Sequence, residues 1–245
     1  MKNKNYKKLE KLETLSFLFY TSDIKENKAF FNIEESRHCI KVLRYKIGNI
    51  ISFTDGKGFL YKGNIVSDNP ENCIVEIIDT IKKENSNAKL TIAISPPKNP
   101  SRYEWFLEKA VEIGITTIQP LNCERTLKSN FKKERAEKII LSAMKQSLNV
   151  YLHTIEDITG FKDFCKNNYQ QKFIAFYNEN NLQLINTLKP NSDTVILIGP
   201  EGDFTQKEID FAYNNGYTPI NLVNSRLRTE TAAINACVIF NSINL

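Results

Sequence analysis

The strongest candidate for chemistry is a glycine-rich turn that directly follows an apolar run. Residues 194–198 read Thr-Val-Ile-Leu-Ile, and residues 199–202 read Gly-Pro-Glu-Gly. A continuous apolar run is typical of a strand buried in a parallel sheet. Ligands of open α/β sheets bind just beyond the carboxyl ends of such strands, where glycine lets the backbone approach a ligand closely. The segment therefore predicts a ligand-binding turn, with an ordinary tight turn as the alternative.

A second polar loop follows the next predicted strand, residues 218–223, and carries two arginines. It runs into a helix that begins near Thr231. An arginine beside a helix N-terminus forms a positive pocket rich in hydrogen-bond donors. We predict that Arg228 stabilises an anionic base or a phosphate; the alternative is a surface salt bridge to Glu201 or Glu230. Arg228, Glu201 and Glu230 are the catalytic candidates. Glu230 lies in the first helical turn, so it is better suited to interact with the helix dipole than to act as a base.

Composition excludes several classes of site. No GxGxxG follows a strand, and neither GxxxxGK[ST] nor GxSxG occurs, so dinucleotide, P-loop and nucleophile-elbow sites lose support. The five cysteines form no CxxC pair and there are only two histidines, so we expect no disulfide framework, no metal site, and five buried, free thiols. No apolar run approaches the roughly 20 residues of a membrane span, and the apolar stretch behind the N-terminal lysines is too short for a signal peptide. A cytosolic location is expected.

Positive charge is concentrated in the first two-thirds of the chain. Residues 86–150 carry 11 basic and 6 acidic side chains, whereas residues 151–245 carry 7 and 10. This asymmetry is expected of a surface that meets phosphates, although a solvated lysine-rich surface would give the same pattern.

The first third of the chain predicts a small β-barrel. Short apolar runs are separated by turn signals such as Asp55-Gly56, which is typical of an all-β unit. One helix is predicted over residues 36–45. The polar seam Asn85-Ser86-Asn87 is the predicted domain boundary. The predicted strands are residues 17–20, 50–54, 59–66 and 73–81.

Beyond the seam, strand and helix patterns alternate, which predicts an α/β fold with a mostly parallel sheet covered on both faces. Two helices should begin with a capping box, one at Ser101 with Glu104 and one at Thr205 with Glu208. Glycines at 114 and 216 should end these helices. The predicted strands are residues 90–94, 116–121, 173–177, 194–198 and 218–223, with further helices over 131–148 and 231–240.

Taken together, the motifs resemble those of the 16S ribosomal RNA uridine-N3 methyltransferase family, a branch of the knotted SPOUT superfamily. Residues 197–204 and 225–232 are similar to its two signature loops, and the resemblance covers about residues 16–243. Five motifs occur in the family's order. The other matching residues are His38 with Val42-Leu43-Arg44, Lys98, Arg102, Lys109-Ala110, Glu112, Gly114, Pro120, Glu124-Arg125 and Gln146-Ser147.

The resemblance implies a domain arrangement and an activity. Residues 1–15 would be a tail, residues 16–84 a PUA-like RNA-binding β-barrel, and residues 85–245 a SPOUT methyltransferase domain with a C-terminal trefoil knot. The activity would be S-adenosylmethionine-dependent methylation of N3 of one uridine in 16S ribosomal RNA. The substrate would be the small ribosomal subunit, and the enzyme a homodimer without metal.

The resemblance also implies roles for individual residues. Arg228 would stabilise the negative charge that spreads over uracil as N3 loses its proton. The RNA-binding residues would be His38, Arg44, Lys98, Arg102, Lys109 and Arg125. S-adenosylmethionine would be held by Leu197, Ile198, Gly199, Pro200, Glu201, Gly202, Leu222, Val223, Asn224 and Leu227.

The sequence departs from the family pattern at a few positions. Val223 stands where the family usually has glycine, and Asn149 and His153 stand where it usually has a basic residue and a proline. Two other functions stay open. One is a non-catalytic RNA-binding adaptor, which would not need a competent Gly-Pro-Glu-Gly pocket. The other is an RNA methyltransferase that acts on a different nucleoside position, since fold alone does not assign function.

Overall fold

The computed structural model describes residues 17–84, 88–127 and 131–244. These residues form two compact units. The first comprises residues 17–84 with Met144–Leu152, and the second comprises residues 88–143 and 153–244. The predicted tail, residues 1–15, and the predicted seam at Asn85-Ser86-Asn87 lie outside the described residues.

The first unit is built on a six-stranded sheet in the order β1-β4-β5-β6-β3-β2. The β1 and β4 strands are parallel, and the other pairs are antiparallel. The rings of Phe19, Phe31 and Phe53 pack in its core, with centroids 5.4 and 5.8 Å apart. The four predicted strand regions are confirmed, but the short hairpin β2–β3 was not predicted. The strands are β1 Phe19–Tyr20, β2 Ile24–Lys25, β3 Lys28–Phe30, β4 Ile50–Thr54, β5 Phe59–Asn69 and β6 Asn72–Lys82.

The helical segment of this unit begins earlier than predicted. Helix α1, Ile33–Arg37, starts after Asn32, whose side-chain oxygen accepts the Glu35 N–H at 2.8 Å. Such a cap satisfies a free N–H of the first turn, which fixes the helix start. A π-helical turn, His38–Val42, follows, and Arg44, with φ of 59°, adopts the left-handed conformation just beyond it.

Met144–Leu152 packs on the first unit although it is far away in sequence. The Val150 carbonyl accepts the Gly58 N–H at 2.9 Å, and Leu152 N–H donates to the Gly56 carbonyl at 2.8 Å. Lys145 forms an ion pair with Glu35, which is 3% exposed. Hydrophobic periodicity could not reveal this association, because it depends on tertiary contacts.

The second unit contains an eight-stranded sheet in the order β10-β8-β7-β13-β11-β14-β12, with β9 paired to β8. All of its strand pairs are parallel, and every residue of β7 and β13 is buried. The predicted α/β class is confirmed. The strands are β7 Leu90–Ile94, β8 Thr117–Asn122, β9 Thr154–Ile155, β10 Thr159–Gly160, β11 Gln171–Ala175, β12 Leu182–Gln183, β13 Thr194–Ile198 and β14 Thr218–Asn221. The helices are α2 Pro100–Ile113, α3 Lys133–Gln146, α4 Phe161–Cys165, α5 Leu184–Thr187, α6 Gln206–Asn214 and α7 Thr229–Asn244.

The capping box predicted at Thr205 is confirmed: Thr205 Oγ1 accepts the Glu208 N–H, and Glu208 Oε2 accepts the Thr205 N–H at 2.9 Å. The capping box predicted at Ser101 is wrong. Asn99 caps α2 instead, because its side-chain oxygen accepts the Ser101 N–H at 3.0 Å and Pro100 occupies the first helical position, where proline is favoured. Glu104 pairs with Arg135 instead of capping the helix.

All five cysteines are buried and free, as predicted. Burial raises the pKa of the Cys165 thiol to about 12 and raises the pKa of Cys123 and Cys237 as well, which disfavours their reactive thiolate form. Within the described ranges, no group of three or more histidine, cysteine, aspartate or glutamate side chains is arranged to bind a metal. None of the helices in those ranges is long and apolar enough to cross a membrane.

Candidate active site

A cavity of about 490 Å³ lies at the carboxyl edge of the second unit's sheet. It is bounded by the segments that follow β11, β13 and β14. The volume falls within the range of about 300–1,000 Å³ that is typical of small-molecule sites. The lining comprises Arg125, residues 175–177, 198–203, 220–223 and 225–229, and Ala232.

The turn after β13, residues 199–203, is fixed by hydrogen bonds from other loops. Thr229 Oγ1 donates to the Gly199 carbonyl at 3.1 Å. Glu201 Oε1 accepts the backbone N–H of Lys98 at 2.9 Å. Asp203 N–H closes the turn on the Pro200 carbonyl at 2.9 Å. The turn is therefore held by segments that precede α2 and that begin α7.

Gly199 is closely packed against Phe204. A Cβ added there would lie 3.2 Å from the Phe204 ring and 3.3 Å from the Phe204 backbone nitrogen. At Gly202 an added Cβ would meet only the Arg125 side chain, at 3.4 Å or more, so this position has room on that side. The turn thus presents backbone to the cavity at both glycines.

The loop after β14, residues 222–228, has fewer contacts. Asn224 Oδ1 accepts a hydrogen bond from Gln183 Nε2 at 2.8 Å. The side chains of Arg226 and Arg228 are exposed, line the cavity, and form no hydrogen bond or ion pair with any other described residue. The alternative of a salt bridge from Arg228 to Glu201 or Glu230 is therefore not formed among the described residues.

Glu230 is directed away from the cavity. It is 7% exposed, its Oε1 lies 3.7 Å from Arg102 Nε, and it is absent from the cavity lining. Its Oε2 is buried with no hydrogen-bond partner in the described part of the chain. The carboxylate lies in the first turn of α7, where negative charge complements the helix dipole. The geometry agrees with the dipole role rather than with a base.

Most of the predicted cofactor residues come together in this cavity. Leu197 is instead fully buried within β13 and belongs to the core. Asn224 is exposed and does not line the cavity. Asp203, Arg226 and Thr229 line it although they were not singled out; all three lie in or beside the two predicted loops, and that proximity was the available signal. The predicted residues that line the cavity are Ile198, Gly199, Pro200, Glu201, Gly202, Leu222, Val223 and Leu227.

The predicted RNA-binding residues are more scattered. Arg125 lines the cavity, Arg102 faces Glu230, and Lys109 Nζ bonds to Glu108 and Glu112. The backbone N–H of Lys98 donates to Glu201. In the first unit, the His38 ring packs near Phe17 and Phe19 while Arg44 is exposed. A role of these six residues in RNA binding stays a prediction.

Two protein families match the chain. The RNA methyltransferase domain family matches residues 83–241, which is more than half of the sequence. This chain belongs to that family. The RNA methyltransferase PUA domain family matches residues 32–78, within the first unit.

Relatives of this RNA methyltransferase cover nearly the whole chain. The ribosomal RNA small subunit methyltransferase E of Mesomycoplasma hyopneumoniae is 32% identical over 226 residues, covering 89% of this chain and 96% of the relative. The protein of the same name from Rickettsia conorii is 31% identical over 229 residues, covering 89% and 92%.

Solved structures share the fold. A probable rRNA methyltransferase from Porphyromonas gingivalis superimposes with a TM-score of 0.86 at 32% identity, covering 93% of this chain and 98% of that one. A ribosomal RNA small subunit methyltransferase E from Neisseria gonorrhoeae, bound to S-adenosyl methionine, gives 0.84 at 25% identity, covering 93% and 97%. The predicted combination of a parallel-sheet methyltransferase domain and an N-terminal PUA domain is confirmed.

Proposed function

We propose that this protein transfers a methyl group from S-adenosylmethionine to N3 of one uridine in 16S ribosomal RNA. The observation that carries the proposal is the cavity between the two strand-end loops. Its support comes from relatives that are named small subunit methyltransferases and align with 89% of this chain. The same proposal locates the protein in the cytoplasm, with its ribosomal substrate.

The cavity fits a cofactor that is held mainly by backbone. Gly199 and Gly202 of the 199–203 turn line the cavity and can offer only backbone, and Ile198, Leu222 and Leu227 give an apolar wall for a flat base. S-adenosylmethionine, when bound, supplies a methyl group on a positively charged sulfur. Val223 also lines the cavity, so a valine at this position is compatible with an open site.

Arg228 is the residue that we assign to the uracil. N3 lies on the pairing edge of the base, so the uridine must be unpaired or turned out to react. Loss of the N3 proton spreads negative charge to the uracil oxygens, and a guanidinium in the cavity stabilises that charge. Arg228 is available for this role because its side chain is exposed and unpartnered among the described residues. Glu201, which is bonded to Lys98, and the buried Glu230 support the two loops instead.

RNA binding is proposed for both domains, with the boundary at residues 84 and 85. Residues 16–84, which include the PUA match, would hold RNA through residues such as the half-buried His38 and the exposed Arg44. Residues 85–245 would contribute Lys98 and Lys109 close to the site of methyl transfer. The excess of positive charge over residues 86–150 supports this assignment.

We further propose that the C-terminal part is knotted and that the enzyme is a homodimer. The knot rests on the resemblance to the SPOUT superfamily; α7, which follows β14, packs on β7 and β13. For the dimer, we propose a contact through the exposed face of α7, which includes Val238. The small residues Ala233 and Ala236 of the same helix are fully buried in the protein's own fold and do not belong to that face. A monomer by light scattering at micromolar concentration would contradict the dimer.

The decisive experiment is methyl transfer to small ribosomal subunits from cells that lack the gene. The purified protein and radiolabelled S-adenosylmethionine should label the 16S RNA, and nucleoside analysis should identify 3-methyluridine. Subunits from cells that carry the gene are the control and should accept little label, because the site is already modified. Label on another nucleoside would refute the N3 assignment, and no label would favour the adaptor function.

A further inference from the structure

Arg125 reaches the 199–203 turn from the segment that follows β8. Its Nη1 donates to the Gly202 carbonyl oxygen at 2.6 Å. Its aliphatic stem covers the same residue, since a Cβ added at Gly202 would lie 3.4 Å from Arg125 Cδ and 3.7 Å from Arg125 Cβ. A hydrogen bond from a charged donor is stronger than a neutral one. Arg125 therefore holds the end of the turn by both a polar and an apolar contact.

The segment that carries Arg125 is itself anchored beside the turn. The neighbouring Glu124 N–H donates to Glu208 Oε1 at 2.8 Å. Glu208 is 1% exposed, and its Oε2 accepts the Thr205 N–H at the start of α6, just after the turn. One buried carboxylate thus links both segments, so the base of the Arg125 side chain is fixed relative to Gly202.

We infer that Arg125 is a positioning residue for the cofactor turn rather than an RNA contact. The inference rests on the proposed function, because it assumes that the turn binds S-adenosylmethionine. By holding the Gly202 carbonyl, Arg125 fixes the orientation of the peptide that joins Gly202 to Asp203. A turn that is fixed before binding does not lose conformational freedom on binding, and affinity is higher for that reason.

The competing role, suggested by the sequence, is contact with an RNA phosphate. The two roles predict that substitution of Arg125 changes different binding properties. A positioning residue affects the affinity for S-adenosylmethionine without RNA, whereas a phosphate contact affects RNA binding and its dependence on salt. The distinction can be measured on the full chain.

Three variants separate the contributions of Arg125. Arg125→Met keeps the stem over Gly202 and removes the donor, Arg125→Lys restores one donor, and Lys207→Ala removes an exposed positive charge of α6 as the matched control. Calorimetry without RNA should show about tenfold weaker S-adenosylmethionine binding in Arg125→Met, the effect of losing one charged hydrogen bond. Arg125→Lys should recover part of it, and Lys207→Ala should bind as the wild type does. The salt dependence of RNA binding should be the same in Arg125→Met and Lys207→Ala.

Wild-type affinity for S-adenosylmethionine in Arg125→Met would overturn the inference, and a flatter salt dependence in that variant alone would assign Arg125 to RNA. Failure of Arg125→Lys to recover any affinity would also count against the hydrogen bond. If the wild-type protein itself did not bind S-adenosylmethionine, the proposed function would fail and the inference with it. Thermal melting of each variant verifies that the fold is retained.

Discussion

The two loops that line the cavity are fixed to different degrees. The 199–203 turn is bonded from outside at Gly199, Glu201 and Gly202. In the 222–228 loop the side chain of Asn224 is bonded to Gln183, but the arginines at 226 and 228 have no side-chain partner among the described residues. The first loop is preformed, while the second offers free charged groups.

This difference fits a division of labour in the proposed reaction. A cofactor that is held by backbone needs main-chain groups at fixed positions, which the 199–203 turn provides. An RNA substrate brings its own negative charge, and an arginine without a protein partner can bind that charge without breaking another interaction. The comparison predicts that substitutions in the turn reduce cofactor affinity, whereas substitutions of the free arginines reduce turnover.

The largest effect is expected at Arg228. Arg228→Ala should lower single-turnover methyl transfer by about 100- to 1,000-fold, roughly 2.7–4 kcal/mol, because it removes a donor to charge that develops during reaction. Its affinity for S-adenosylmethionine should change little. Arg228→Lys should recover only part of the rate, since the ammonium group of lysine cannot replace the planar arrangement of donors in a guanidinium group. Near-normal turnover in Arg228→Ala at saturating cofactor and RNA would place the chemistry elsewhere.

A large effect on binding is expected at Gly202. Gly202→Trp should abolish measurable S-adenosylmethionine binding by calorimetry, because the indole must occupy space at the cavity wall or displace Arg125. Gly202→Ala is the matched control. Its Cβ would be in ordinary contact with the Arg125 side chain, at 3.4 Å, so binding should be nearly retained. Equal affinity in the tryptophan variant and the wild type would remove the turn from the site.

Much of this site could be predicted from the sequence because its parts are local. The apolar run at 194–198 and the Gly-Pro-Glu-Gly segment predicted a buried strand followed by a turn, and both are present. The capping box at Thr205 is likewise encoded by two residues in one helical turn. Patterns of this kind depend on neighbouring residues alone, so they can be read from the sequence.

What the sequence could not predict depends on contacts between distant segments. Arg125 and Gly202 are far apart in the chain, and nothing in the neighbours of Arg125 indicates that it faces a backbone carbonyl. Strands of two residues, such as β9 and β10, are too short to show a periodic pattern. At α2 the sequence offers two polar residues, Asn99 and Ser101, as possible N-caps. Asn99 is the cap because Pro100 then occupies the first helical position, where proline is favoured.

The smallest effect is expected at Asp203, where substitution tests whether the 199–203 turn also stores backbone strain. Asp203 has φ of 62°, a left-handed conformation that costs most residues about 1–2 kcal/mol but that aspartate and asparagine adopt more easily. Its Oδ1 also accepts the Phe204 N–H at 2.8 Å. Asp203→Asn keeps both properties and should leave thermal stability almost unchanged. Asp203→Val loses both, and its unfolding free energy should fall by about 1–2 kcal/mol. If Asp203→Val were as stable as Asp203→Asn, the 199–203 turn would be able to relax its backbone. The contrast between a rigid 199–203 turn and a less constrained 222–228 loop would then have no physical basis.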